Sequence, residues 1–354
     1  MSNDKTLRLP ILDRLLPLWI FLAMAVGVAI GFIFPNIGNV LGSVKIADVS
    51  LPIAIGLLWM MYPVLAKVKY EELGHLAGKG KVFGITLAIS WIVGPIVMFI
   101  LSWLLLPDLP EYRTGMILVS LAPCIAMVLI WNMLAKGSNE IAAVLVAINS
   151  ILQVLLYAFM GYFYLTIVPG WLGAKGAVVA ISMWDIAKSV LIFLGIPLLA
   201  GYLTRTILIA RKGKQWYEGV FIKKLSPTAL IGLLYTIILM FAMQGEKIIT
   251  FPLDVVRISI PLLLFFAVMW TFTFIVAKKS GLSYSDSATA AFTASSNNFE
   301  LAIAVAIGVF GIQSKEALAA VVGPLIEVPA LIGLVYVSLW ARKFFKSEAR
   351  TARK

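Results

Sequence analysis

Long apolar runs follow one another along this chain, separated by short segments rich in charge, proline or glycine. A helix needs roughly 20 mostly apolar residues to cross the hydrocarbon of a bilayer. Cut at its polar breaks, the sequence predicts ten spans, at Leu15–Phe34, Leu51–Ala66, Val82–Leu106, Thr114–Ala135, Ile141–Val168, Ile186–Thr204, Thr228–Met243, Val255–Ala277, Ser287–Phe310 and Ala317–Trp340. The second and seventh are expected to be short.

Two spans are interrupted in mid-course. The fourth holds Ala122-Pro123-Cys124 and the ninth holds Ser295-Ser296-Asn297-Asn298-Phe299-Glu300. Proline lacks the amide hydrogen and clashes with the preceding turn. A run of Ser and Asn offers the backbone competing partners. Each span is therefore expected to split into two half-helices, and irregular backbone at membrane depth is tolerated only where it lines a cavity or is buried in protein. The sequence thus places a binding site at mid-membrane, where spans 4 and 9 cross.

Composition removes the alternative of a water-soluble core: 61% hydrophobic residues, 13% charged residues and a mean hydropathy of +0.99 require a surface that faces lipid. The apolar run after MSNDKTLRLP is too long for a signal-peptide core and reads as a retained first membrane helix. One cysteine excludes an intramolecular disulfide, and one histidine, His75 in a loop, excludes a two-histidine zinc motif. GKGK in the same loop lacks the spacing of a phosphate loop, so no ATPase is encoded here and a partner ATPase stays open.

The net charge of +12 falls unevenly. With the N-terminus cytoplasmic, inside segments hold 22 of the 29 Lys and Arg residues and outside segments 7. Both termini are then cytoplasmic in a plasma-membrane protein. The charge serves topology and lipid headgroups, with no nucleic acid as partner.

A shift of 176 residues sets Gly56-Leu-Leu-Trp59 on Gly232-Leu-Leu-Tyr235, Glu140 on Glu316 and Cys124 on Glu300. The pattern suggests a duplication. With five crossings per half, residues 1–176 and 177–354 would form two inverted five-helix repeats, as in many secondary transporters.

Cys124 is expected near the amino end of a half-helix, where the dipole favours thiolate and hence soft partners: trivalent arsenic or antimony as the neutral hydroxide, copper(I) or mercury. Its plainer role is that of a small buried hydrophobe. Glu300 has no intramembrane Lys or Arg beside it, and such acids are functional by default; Asn297-x-x-Glu300 also has the spacing of a capping box. Glu327, between Pro324 and Pro329, is a second buried acid. Asn149 and Gln153 share a helix face and serve the site or act as interhelical glue. Asn297 and Asn298 complete the polar break. Arg113 heads span 4, where such residues snorkel to the interface; it is a further candidate.

The strings EYRTGMILVSLAPCIAMVLIWNMLAKG, SSNNFELAIAVAIGVFG and GPLIEVPALIGLVYVSLW strongly resemble the arsenical-resistance-3 family of arsenite permeases, in register over essentially the whole chain. That family lies in the bile acid, arsenite and riboflavin transporter superfamily. The resemblance implies an all-α polytopic membrane protein with ten helices, organised as a core and a panel. It implies efflux of arsenite, and for some members antimonite, driven by proton antiport with no cofactor. It maps the metalloid cysteine to Cys124, the membrane glutamate to Glu300 and the arginine before Thr-Gly to Arg113. Two rival functions compete with this one. A sodium-coupled importer of an organic anion would use oxygens of Asn297, Asn298, Glu300 and Gln153. A thiol enzyme lacks a base near Cys124 and a second cysteine.

Overall fold

The computed structural model describes residues 15–34, 36–46, 49–71, 79–173 and 181–345. His75, the basic residues before residue 15 and after residue 345, and the boundary expected at residue 176 lie outside them. The described chain is almost wholly helical, apart from a two-residue antiparallel pair, Lys45–Ile46 with Val49–Ser50.

The helices are α1 (Leu16–Ile33), α2 (Leu51–Ala66), α3 (Gly80–Leu105), α4 (Pro110–Ser120), α5 (Val128–Leu134), α6 (Asn139–Trp171), α7 (Met183–Lys212), α8 (Ile222–Thr250), α9 (Pro252–Lys279), α10 (Tyr284–Ser295), α11 (Phe299–Phe310) and α12 (Lys315–Ala341). Among the described residues, six helical stretches are long and apolar enough to cross a membrane; five contain α3, α6, α7, α9 and α12, and one, Lys214–Gly245, holds most of α8.

Helix α8 corrects the expectation of a short seventh span: it runs 29 residues. Lys223, Lys224 and Pro227 read as a break in the sequence. All three lie inside one continuous helical stretch that starts at Lys214 and passes a π-helical turn at Tyr217–Phe221, so Pro227 is an interior proline that costs the long helix one amide without ending it.

Helices α3, α6 and α7 each pass through a π-helical turn, at Ile89–Val93, Phe163–Ile167 and Leu191–Gly195. Each turn ends two residues before a proline, Pro95, Pro169 or Pro197. The proline ring removes one rung of the hydrogen-bond ladder and pushes against the preceding turn, which widens instead of breaking.

Helix α8 lies along α1 and α2, and α7 packs on α2. The α2–α8 contact is close because it uses glycine twice: a Cβ at Gly232 would meet Met60, and one at Gly56 would meet Thr236 and Tyr235. Buried Arg205 of α7 ties the ends of these helices together, donating to Glu71 beyond α2 and to Glu218 ahead of α8. That guanidinium holds the Glu71 carboxyl far below the usual carboxylate range, at about 2.

The remaining helices assemble around α12, which contacts α4, α9 and α11. Arg257 pairs with Asp108 and Tyr112 donates to Asp254, bracing the start of α4 against α9. Gly323 of α12 lies directly under the Phe299 ring, so an added Cβ would overlap it. Gly323→Ala is expected to lower stability by about 1–3 kcal/mol through overpacking. The measurement is the thermal midpoint of purified protein in detergent, and Phe299→Leu should recover part of the loss in the Gly323→Ala background.

Candidate functional site

Both expected interruptions are present. Helix α4 stops at Ser120 and α5 begins at Val128; α10 stops at Ser295 and α11 begins at Phe299. The two breaks pair as an antiparallel bridge between Pro123 and Asn297. The Cys124 amide donates to the Ser296 carbonyl (2.9 Å) and the Asn298 amide to the Ala122 carbonyl (2.7 Å). Backbone groups released from the helices thus satisfy one another across the crossing, as buried polar groups must.

Each break is also held by the long helix that follows it. Gln153 of α6 donates from Nε2 to the Pro123 carbonyl (2.6 Å). Glu327 of α12 accepts from the Ser296 hydroxyl (2.7 Å) and the Asn297 amide (3.2 Å) through the same oxygen. Asn298 links the two, donating from Nδ2 to Gln153 Oε1 (2.8 Å).

The Cys124 sulfur is buried, 2% exposed, and accepts the Val128 amide (3.3 Å). Cys124 thus lies at the amino end of the half-helix α5, four residues ahead of its first residue. It stands ahead of α5 and offers its sulfur to the first helical amide. Ser296, whose carbonyl accepts the Cys124 amide, sends its hydroxyl to Glu327, so one residue joins the cysteine to that carboxyl.

Glu300 occupies the first turn of α11, but the cap is Asn298, whose Oδ1 accepts the Leu301 amide (3.1 Å). That corrects the spacing argument for Asn297. Freed from capping, Asn297 donates from Nδ2 to the Val119 carbonyl (3.1 Å), and its Oδ1 is buried without a partner. Glu300 lines a cavity of about 20 Å³. The walls are apolar except for Thr236.

Two candidates sit elsewhere. Arg113 lies in the first turn of α4 with its guanidinium 4.1 Å above the Trp103 ring, seven helical positions from Ser120, where α4 ends. Asn149 accepts from Trp91 Nε1 (3.0 Å), and its own Nδ2 is buried and unpartnered. Ser296, which touches Cys124 and Glu327 together, is legible in the sequence only as one member of a polar run.

Two of the amide oxygens a sodium site would need, on Asn298 and Gln153, already accept protein donors. Among the described residues, no group of three His, Cys, Asp or Glu residues could hold a metal ion.

A family model described as the sodium bile acid symporter family matches residues 54–251. The arsenical-resistance protein Acr3 of Corynebacterium glutamicum is 51% identical over 339 residues, covering 96% of this chain and 92% of that protein. The chain belongs to the Acr3 arsenical-resistance family. The Acr3 of Alkaliphilus metalliredigens is 35% identical over 349 residues, covering 96% and 95% of the two chains. An uncharacterized transporter of Synechocystis is 37% identical over 348 residues, with 93% and 88% covered. As a member of the Acr3 family with helices of membrane-spanning length, the chain is a multi-pass membrane transporter of the arsenical-resistance class.

Proposed function

We propose that this protein exports trivalent arsenic, as arsenous acid, across the plasma membrane in exchange for protons, with antimonous acid as a second substrate of the same chemistry. The observation that carries the reading is the sole cysteine, buried at the paired helix breaks and linked through Ser296 to the buried Glu327 carboxyl. Arsenic is soft and prefers sulfur to oxygen. The Cys124 thiol takes the place of one hydroxide on arsenic, its proton leaving with that hydroxide as water, and the unpartnered Asn297 Oδ1 is an acceptor for an As–OH group. A single thiol binds more weakly than the three that trivalent arsenic favours, which suits a carrier that must release its cargo.

The architecture of this reading is ten spans in two inverted five-helix repeats, both termini cytoplasmic, with the broken spans 4 and 9 crossing at mid-membrane. Reciprocal contacts support it. Gln153 holds Pro123 while Glu327 holds Asn297; 297 minus 123 and 327 minus 153 both equal 174. Gly56 meets Thr236 while Gly232 meets Met60; 232 minus 56 and 236 minus 60 both equal 176. A pseudo-twofold relation produces such exchanges of partner.

Neutral arsenous acid carries no charge for the membrane potential to act on, so uphill export needs a coupled ion. In everted vesicles, arsenite uptake is expected to rise with an acidic interior, to collapse with a protonophore and to ignore sodium. Uptake that follows sodium and ignores the pH gradient would assign the chain to sodium-coupled carriers instead.

A further inference from the structure

Two cavities separate α8 from the crossing. The first is the small one beside Glu300, lined also by Ile20, Thr236 and Ile303. The second, of about 190 Å³, is a crevice lined by Met60, Val64 and Lys67 of the α2 segment, Ile130 of α5 and Ser226 and Leu230 of α8. Two residues line both: Met127, in the last turn before α5, and Leu233 of α8. Each is buried. Met127 and Leu233 thus form a wall common to the crevice and the Glu300 cavity.

The opposite side is closed more deeply. Along α11, Leu301 through Ile307 are all buried. Beyond α11, Gln244 and Lys247 of α8 donate to the carbonyls of Ile312 and Gln313. The crevice is lined by Lys67, one of the basic residues whose distribution marks the cytoplasmic side.

We infer that Met127 and Leu233 form the inner gate of the transport path, an apolar neck that passes neutral solutes to Cys124 and Glu300 and holds back ions. A hydrophobic constriction too narrow for a hydrated ion excludes it by the cost of stripping its water. A small neutral hydroxide loses far less at the same point. Methionine suits a gate because its unbranched thioether chain changes rotamer readily. The neck therefore separates arsenous acid from phosphate, arsenate and inorganic cations before either reaches the sulfur. The transport role rests on the proposed function; the accessibility does not, and it can be measured without arsenite.

The native chain is its own reporter, since Cys124 is the only cysteine. Full-length protein in inside-out membrane vesicles is treated with three methanethiosulfonates of similar length: neutral hydroxyethyl, anionic sulfonatoethyl and cationic trimethylammonioethyl. Adduct formation is followed by intact mass, and rates are normalised to those with a free small thiol. In the wild type the neutral reagent is expected to react at least about tenfold faster than either ion, the preference an apolar barrier imposes on charge. Met127→Ala combined with Leu233→Ala should raise both ionic rates by about tenfold or more as the barrier is removed. The volume-conserving Met127→Leu should stay within about twofold of wild type. Met127→Trp, which fills the neck, should slow the neutral reagent and keeps the test decisive if the double variant does not fold. Equal rates for ions and the neutral reagent in the wild type would overturn the inference. So would unchanged rates in folded double or tryptophan variants, or no labelling of the wild type by any reagent.

Discussion

Cys124→Ser is expected to abolish arsenite export while leaving the protein in the membrane at its normal level. Serine matches the volume and can accept the Val128 amide as sulfur does, so the start of α5 keeps its partner. What it lacks is polarizable sulfur, and a hydroxyl oxygen has little preference for arsenic over the water and hydroxide around it. Cys124→Ala separates the two roles, because alanine loses both the acceptor and the soft ligand. Equal loss in the two variants, measured as arsenite uptake into everted vesicles with protein quantified by immunoblot, supports the ligand role. An active serine variant beside an inactive alanine variant would reduce Cys124 to a helix cap.

The helix breaks are the most legible feature of the sequence, because proline and clustered Ser and Asn act on the backbone locally, whatever surrounds them. Their pairing is less so. The 176-residue shift sets Cys124 opposite Glu300, whereas the bridge centres on Pro123 and Asn297. At the crossing the matching offset is 174, which makes Gln153 and not Ile151 the counterpart of Glu327. A difference of two residues is invisible to string matching in apolar helices but changes which side chains face each other.

Caps and necks are harder still. Asn297 and Asn298 are adjacent and chemically identical, and only the turn geometry makes Asn298 the cap and leaves Asn297 Oδ1 unpaired. Arg113 has the sequence signature of an interfacial or site residue, but stacking on Trp103 depends on how α4 packs against α3. Met127 and Leu233 are apolar residues among apolar residues. Their place at the shared wall of two cavities comes from tertiary packing alone, so no pattern along the chain could have marked them.

Glu300→Gln is expected to bind arsenite but fail to pump it uphill. Of the two buried acids, Glu327 uses one oxygen to hold both Ser296 and the Asn297 amide, which ties it to the shape of the break. Glu300 is under no such constraint. It lines the small apolar cavity shared with α8, and no described side chain donates a hydrogen bond to its carboxyl. A carboxyl so placed can take up and release a proton as α8 moves against the crossing, without unfolding the site around it. Glutamine fixes the protonated shape and removes the exchange, so equilibrium binding persists while arsenite-dependent proton flux is lost. Glu300→Asp keeps a titratable group with one methylene less reach and should retain part of the coupled rate. Both variants are read by proton flux in everted vesicles beside equilibrium binding of arsenite to purified protein. A glutamine variant that accumulates arsenite like the wild type would move proton exchange to Glu327, and Glu327→Gln, whose amide oxygen can still accept from Ser296 and Asn297, would then be the variant that binds without pumping.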